Sequence, residues 1–165
     1  MTWRVATAQD VPQILELIKD LAAYEREPDA VHATEAMLTQ ALFGEHRAVY
    51  CHVIDHPENK GQLAAFALWF LNFSTWLGKH GIYLEDLYVR PELRGRGYGQ
   101  TLLKSLAQIC VERGYGRLEW WVLDWNEPSI EFYKSLDAVA MDEWTVFRLT
   151  GDALSELGGR DVFSS

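Results

Sequence analysis

The stretch Arg94-Gly95-Arg96-Gly97-Tyr98-Gly99-Gln100 places three glycines at alternate positions. It lies between an apolar run, Ile82 to Val89, and a segment in which Leu102, Leu103, Leu106 and Ile109 recur at helical spacing. Glycines let a backbone come close to a ligand, and a strand-to-helix turn leaves N–H groups unpaired at the positive end of the helix dipole. The chemistry implied is anion binding, with phosphate the natural guest, although a glycine turn of this kind also serves as an ordinary tight helix entry. Two familiar phosphate loops do not fit. A G-x-G-x-x-G fingerprint begun at Gly95 needs its third glycine at Gln100, and begun at Gly97 needs it at Leu102. A loop ending in G-K-S/T is excluded because the glycines run into Gln100-Thr101.

Two flanking segments carry further candidates. In Tyr83-Leu84-Glu85-Asp86-Leu87-Tyr88-Val89, two acids interrupt an apolar and aromatic strand, an unusual placement for carboxylates. Strand alternation sends Glu85 and Asp86 to opposite faces unless a bulge intervenes. After the loop comes Trp125-Asn126-Glu127-Pro128-Ser129-Ile130-Glu131-Phe132-Tyr133-Lys134. Taken alone, Phe132-Tyr133 reads as helix packing.

The loop fits the pattern [Q/R]-x-x-G-x-[G/A] through Arg94, Gly97 and Gly99. With the two flanking segments in this order, the chain resembles the GNAT superfamily of acetyl-coenzyme A dependent N-acetyltransferases. Within it, the resemblance is to the spermidine/spermine (diamine) branch and its thialysine acetyltransferase relatives. It extends through Leu17 to Glu25 and the Phe43-Gly44-Glu45 turn, covering nearly the whole chain. The resemblance implies an acetyl-CoA co-substrate held by Arg94, Gly95, Arg96, Gly97, Tyr98, Gly99 and Gln100, by Asn126, Glu127, Pro128 and Ser129, and by Tyr133. It implies that the backbone of Leu87, Tyr88 and Val89 runs beside the pantetheine arm and polarises the thioester carbonyl, an oxyanion-type contribution. Glu85 would take the proton of the amine, directly or through water, with Asp86 a second substrate contact. Tyr133 would protonate the departing thiolate. Tyr24, Glu25, Glu119, Trp120 and Trp121 match positions lining the amine site. Direct attack in a ternary complex and a homodimer are also implied, the exposed edge of a last strand giving a physical reason for pairing. The chain departs from the family at Asp137, where glycine is usual, and its final hairpin around Asp142-Glu143-Trp144 is shorter than in the polyamine enzymes.

These roles suit the reaction. A lysine-like amine with pKa near 10.4 is only about a thousandth neutral at pH 7, so a base is useful. An acid beside aromatics is a receptor for a cation, by ion pairing and cation–π contact. The reading is therefore an N-acetyltransferase acting on a primary amine of a small cationic molecule: polyamine, diamine or thialysine-like. Two alternatives stay open: the same chemistry on an aminoglycoside, amino acid or protein amine, and a catalytically silent CoA-binding module.

The remaining residues set the frame. With 165 residues, 48% of them hydrophobic, the chain has material for one core, and a single domain over 1–165 is expected, with 158–165 a loose tail. The net charge of −9 disfavours nucleic acid, whereas Arg90, Arg94 and Arg96 form a basic island around the glycine loop. The longest apolar run, near Leu63 to Leu71, falls short of the ~20 residues of a membrane span, and no secretory leader is legible. Cys51 and Cys110, without CxxC spacing, read as reduced thiols in a cytoplasmic protein. No metal is expected: His52 and His56 have a metal-like separation, but Pro57 blocks the helix that would join them.

The periodicity predicts a strand at Trp3 to Ala6, then a helix capped by Asp10 with Gln13 as its capping-box partner and Ile14, Leu17, Ile18 and Leu21 on its buried face. A second helix capped by Thr34, strands over Ala48–Ile54, Gln62–Phe73 and Ile82–Val89, and a long helix to Arg113 follow. A strand over Arg117–Leu123, a helix over Glu127–Leu136, and two last strands, Val139–Asp142 and Thr145–Leu149, complete the chain. This order gives an α/β fold, with a mixed, mostly antiparallel central sheet flanked by helices, as the GNAT resemblance also implies.

Overall fold

Runs rich in β-branched and aromatic residues form one sheet, in spatial order β1 (Trp3–Val5), β2 (Val49–Asp55), β3 (Leu63–Ser74), β4 (Lys79–Val89) and β5 (Leu118–Trp120). The first three pairings are antiparallel and only β4·β5 is parallel. A parallel neighbour requires a long crossover, and the helix α3 (Tyr98–Arg113) supplies it. The computed structural model describes residues 1–159, and the chain divides into two compact units, Met1–Leu123 and Asp124–Ser165.

In the first unit, α1 (Val11–Tyr24) and α2 (Glu35–Phe43) cover one face of the sheet. Ile14, Leu17 and Leu42 pack there against Cys51, Val53, Phe66, Leu68 and Tyr88. Phe66, Ile14 and Leu17 are wholly buried, each contributing roughly 1.5–3 kcal/mol of transfer free energy. The apolar stripe of α3, Leu102, Leu103 and Leu106, is buried as its spacing predicts. Gly114, at φ 69°, ends α3 and lets Tyr115 N–H reach Cys110 O at 2.8 Å.

The expected capping box of α1 is replaced. Asp10 accepts from Thr7 N–H (2.7 Å) and from both Nη groups of Arg4 (2.8 Å each), so the box lies one turn earlier. Gln13 is instead a tie to the sheet, its Oε1 accepting from Leu63 N–H and Arg90 Nη2. At α2 the cap is as expected, with Met37 N–H donating to Thr34 Oγ1.

His52 is buried beneath Trp3, whose ring stacks on it at 4.2 Å, and lies edge-on to Trp69. The Ser105 hydroxyl donates to Leu102 O, so His52 Nδ1–H donates to Ser105 Oγ at 2.8 Å. Burial lowers the imidazole pKa from 6.5 to about 4. Below pH 6.5 the unfolded chain therefore takes up a proton that the folded one refuses, and stability is lost as pH falls towards 4. We expect the destabilisation caused by His52→Gln to be smaller at pH 5 than at pH 7 by on the order of 2 kcal/mol, read from urea unfolding at both pH values. An unchanged difference would remove the neutral-histidine assignment.

The second unit contains α4 (Glu127–Ser135) and α5 (Gly151–Gly159). The two last strands expected over Val139–Asp142 and Thr145–Leu149 are not formed. β-type residues become a strand only by pairing, and among the described residues nothing pairs with this segment. Val139, Met141, Trp144, Val146, Phe147 and Leu149 are exposed. Asp137 sits at φ 63°, the left-handed conformation glycine adopts freely and aspartate tolerates, so the turn after α4 survives the absence of glycine. Of the expected loose tail, Gly158 and Gly159 close α5 and the rest lies outside the described residues.

Candidate active site

The pairing of β3 with β4 shifts at one point: Leu68 faces Asp86 and Trp69 faces Leu84, leaving Glu85 as an extra residue without a cross-strand partner. This is the bulge that strand alternation required if both acids were to serve one cleft. Asp86 takes the same face as Tyr88, the face covered by α1, while Glu85 is exposed. The third acid comes from α1. Its last turn closes through Arg26, at φ 67°, with Glu27 N–H donating to Ala22 O, and this end of the helix presents Glu25.

Two of the three carboxyls, Glu25 and Asp86, respond to the charge of their neighbours. Burial, then the charges of Glu85 and Glu25, raise the Asp86 pKa to about 7, and burial followed by Glu85 raises that of Glu25. A cluster of acids that cannot all ionise cheaply is prepared to receive a cation, whose charge lets them do so.

β5 runs beside β4 from Ile82 to Leu84, so beyond Glu85 that edge of β4 has no strand next to it among the described residues. The Leu87, Tyr88 and Val89 backbone lies along this open edge, where the resemblance implies a pantetheine arm. Beyond it, Gly95 and Gly97 have φ of 76° and 87°, and Gly97 is the N-cap of α3. A Cβ at either position would meet no atom within 4 Å, so it is the left-handed backbone that demands glycine, and the space above the loop is open. Thr101 fastens the turn by donating from both N and Oγ1 to Gly97 O. Tyr98 is buried, which leaves its backbone rather than its ring on the ligand side, while Arg96 and Gln100 are exposed and Gly99 half-buried.

The basic island is smaller than expected. Arg90 is drawn away, donating to Leu63 O, Gln13 and Glu16, where it joins α1 to the sheet. Arg94 stays at the loop: its Nε donates to Val89 O at 3.0 Å, and its guanidinium lies over the rings of Tyr24 (5.0 Å) and Tyr88 (5.2 Å). Tyr88 lies in the strand that leads into the loop, but Tyr24 comes from α1, too far away in sequence for spacing to reveal the arrangement.

In β5, Glu119 is in register with Tyr83 and accepts from Asn72 Nδ2 at 3.2 Å. Trp121 is exposed and meets the Tyr83 ring edge-on at 5.7 Å. Trp120 is in register with Leu84, on the opposite face from Glu119. In the second unit, Asn126 is buried and precedes α4, its carbonyl accepting from Ile130 N–H. Pro128 occupies the first turn, with Glu127 exposed and Ser129 half-buried. Tyr133 is half-buried, its ring 5.6 Å from that of Phe132.

Comparison with known proteins gives the family. The Acetyltransferase (GNAT) family model matches residues 12–137, a span that includes the acids, the glycine loop and Tyr133. The chain is 37% identical to a thialysine N-epsilon-acetyltransferase of Bos taurus over 95% of this chain and 96% of that one. It is 33% identical to an L-ornithine N5-acetyltransferase of Arabidopsis thaliana, covering 93% and 86% of the two chains. An integron cassette protein from the mobile metagenome of V. cholerae superposes with a TM-score of 0.78, at 25% identity over 96% of this chain and 98% of that one. With its strand-bulge acids and its loop at the head of α3, this chain belongs to the GNAT acetyltransferase family and is an N-acetyltransferase.

Proposed function

We propose that the protein transfers the acetyl group of acetyl-CoA to a primary amine of a small cationic molecule, of the polyamine, diamine or thialysine-like class, by direct attack in a ternary complex. The observation that carries this reading is the trio Glu25, Glu85 and Asp86: the charge of Glu85 helps burial to raise the carboxyl pKa of Glu25 and of Asp86, which reflects negative charge awaiting a positive partner. Thialysine and L-ornithine, the acceptors named for two relatives, are both amines of this kind. Both units contribute to one domain in this reading, consistent with a family match that runs across their boundary.

Each residue has a step. Glu85 takes the proton of the bound ammonium, directly or through water, while Asp86 and Glu25 hold its charge. The amine nitrogen bonds to the acetyl carbon, and N–H groups along β4 from Leu87 to Val89 steady the carbonyl oxygen. The carbon–sulfur bond then breaks, Tyr133 gives its proton to the thiolate, and the second proton of the attacking nitrogen leaves to solvent, from which Tyr133 regains its own. Arg94 and the backbone from Gly95 to Gln100 hold the pyrophosphate. Asn126 to Ser129 hold the cofactor arm, while Tyr24, Glu119 and Trp121 line the amine site, with Trp120 behind them.

Acetyl-CoA binding tests the cofactor part of this reading. Asparagine tolerates a left-handed backbone, so Gly97→Asn keeps the turn while placing a side chain in the open space above it. We expect isothermal titration to show a loss of acetyl-CoA affinity of roughly tenfold or more, with the melting temperature little changed. Unaltered affinity would remove the loop from the cofactor site.

A homodimer is part of the proposal. The edge of a last strand no longer supports it, because that strand is not formed; the exposed apolar residues from Val139 to Leu149 do. Light scattering at micromolar concentration is expected to give twice the mass of the chain, and a monomer would contradict the dimer.

A further inference from the structure

Arg94 is the only arginine of the proposed basic island whose guanidinium is held between two aromatic rings, and those rings belong to separate elements. Tyr88 is buried in the core cluster and forms a fixed wall. Tyr24, the last residue of α1, is 37% exposed and forms the outer wall. The hydrogen bonds of Arg94 to Val89 O and to the Tyr88 side chain fix the inner side of the fork, and the fork's remaining N–H groups can meet an anion at the loop. A long side chain held this way does not have to be ordered when its ligand arrives.

We infer that Tyr24 is a positioning residue for the glycine loop, holding the Arg94 guanidinium against Tyr88 so that it meets the cofactor's phosphates already oriented. The inference rests on the proposed role of the loop, and it gives Tyr24 a duty towards the cofactor beside the one proposed for it at the amine site. What positions Arg94 is the face of the ring. Phenylalanine keeps that face, whereas an aliphatic residue of similar bulk cannot supply the quadrupole.

Calorimetric binding of coenzyme A itself, with no amine and no turnover, separates the two roles. Tyr24→Leu is expected to weaken coenzyme A binding by roughly 5- to 30-fold, the range for loss of one partly desolvated cation–π contact. Tyr24→Phe is expected to restore wild-type affinity. In an Arg94→Gln background, Tyr24→Leu should cause no further loss, because the group that it positions is gone. At saturating acetyl-CoA, the KM for the amine should change less than the coenzyme A affinity does. Unchanged coenzyme A affinity in Tyr24→Leu, or an equal loss with and without Arg94, overturns the positioning role. Wild-type protein that takes up no coenzyme A would instead overturn the cofactor reading beneath it.

Discussion

Replacing Tyr133 by phenylalanine is expected to leave acetyl-CoA affinity intact while lowering turnover by roughly 10²- to 10⁴-fold, the range for a positioned acid or base. The change removes one hydroxyl and keeps the ring that lies beside Phe132 on α4. Without the phenol, the thiolate must take its proton from water, and the deficit should persist across the pH range in which free amine becomes abundant. A folded Tyr133→Phe protein with near-normal turnover on a good amine would assign thiolate protonation to another donor. The upstream segment from Trp125 to Ser129 gives this tyrosine its meaning; a half-buried ring on a short helix otherwise says little.

Glu85→Gln should lower kcat/KM by a similar factor, roughly 10²- to 10⁴-fold at neutral pH, but its defect should shrink as pH rises and more amine arrives already neutral. Asp86 should leave a different mark. Its carboxyl, raised to about 7 by burial and by Glu85 and Glu25, is protonated at lower pH and then offers the ammonium no charge. The KM for the amine should therefore rise as pH falls through about 7 in the wild type, and Asp86→Asn should abolish that dependence. Removing the like charge of Glu85 lowers the Asp86 pKa, so in Glu85→Gln the rise in KM should move to lower pH. The same linkage acts on stability: a raised carboxyl pKa favours folding below the unfolded value near 4, and this contribution is lost as pH rises through 7. Asp86→Asn should thus be the more stable protein above pH 7. If Glu85→Gln and Tyr133→Phe respond to pH in the same way, the division between base and acid is wrong.

Features set by local conformation were legible in the residues. The alternate glycines of the loop and the apolar stripe of α3 are local patterns, and Gly95, Gly97, Leu102, Leu103 and Leu106 sit as their spacing predicts. The bulge at Glu85 could be posed as a condition but not resolved, because it depends on how β4 registers against β3. Arg90 and Arg94 look alike in sequence, yet Gln13 and Glu16 of α1 claim the first and two tyrosines hold the second. The segment from Val139 to Leu149 has strand composition without a strand partner, which composition cannot report. α5 begins at Gly151 and ends at Gly159, residues of low helix propensity that hid it. Asp137 read as a departure because glycine is the usual left-handed residue, and it adopts that conformation all the same.

The most direct test of the account is to incubate the purified protein with acetyl-CoA and, separately, thialysine, L-ornithine and spermidine, following free thiol and the mass of the product. The account predicts at least one amine that gains a single acetyl group on a primary nitrogen, with one thiol released per product and neither signal when either substrate is omitted. Protein that binds acetyl-CoA yet acetylates none of these cations, while acetylating a neutral acceptor or nothing at all, would contradict it.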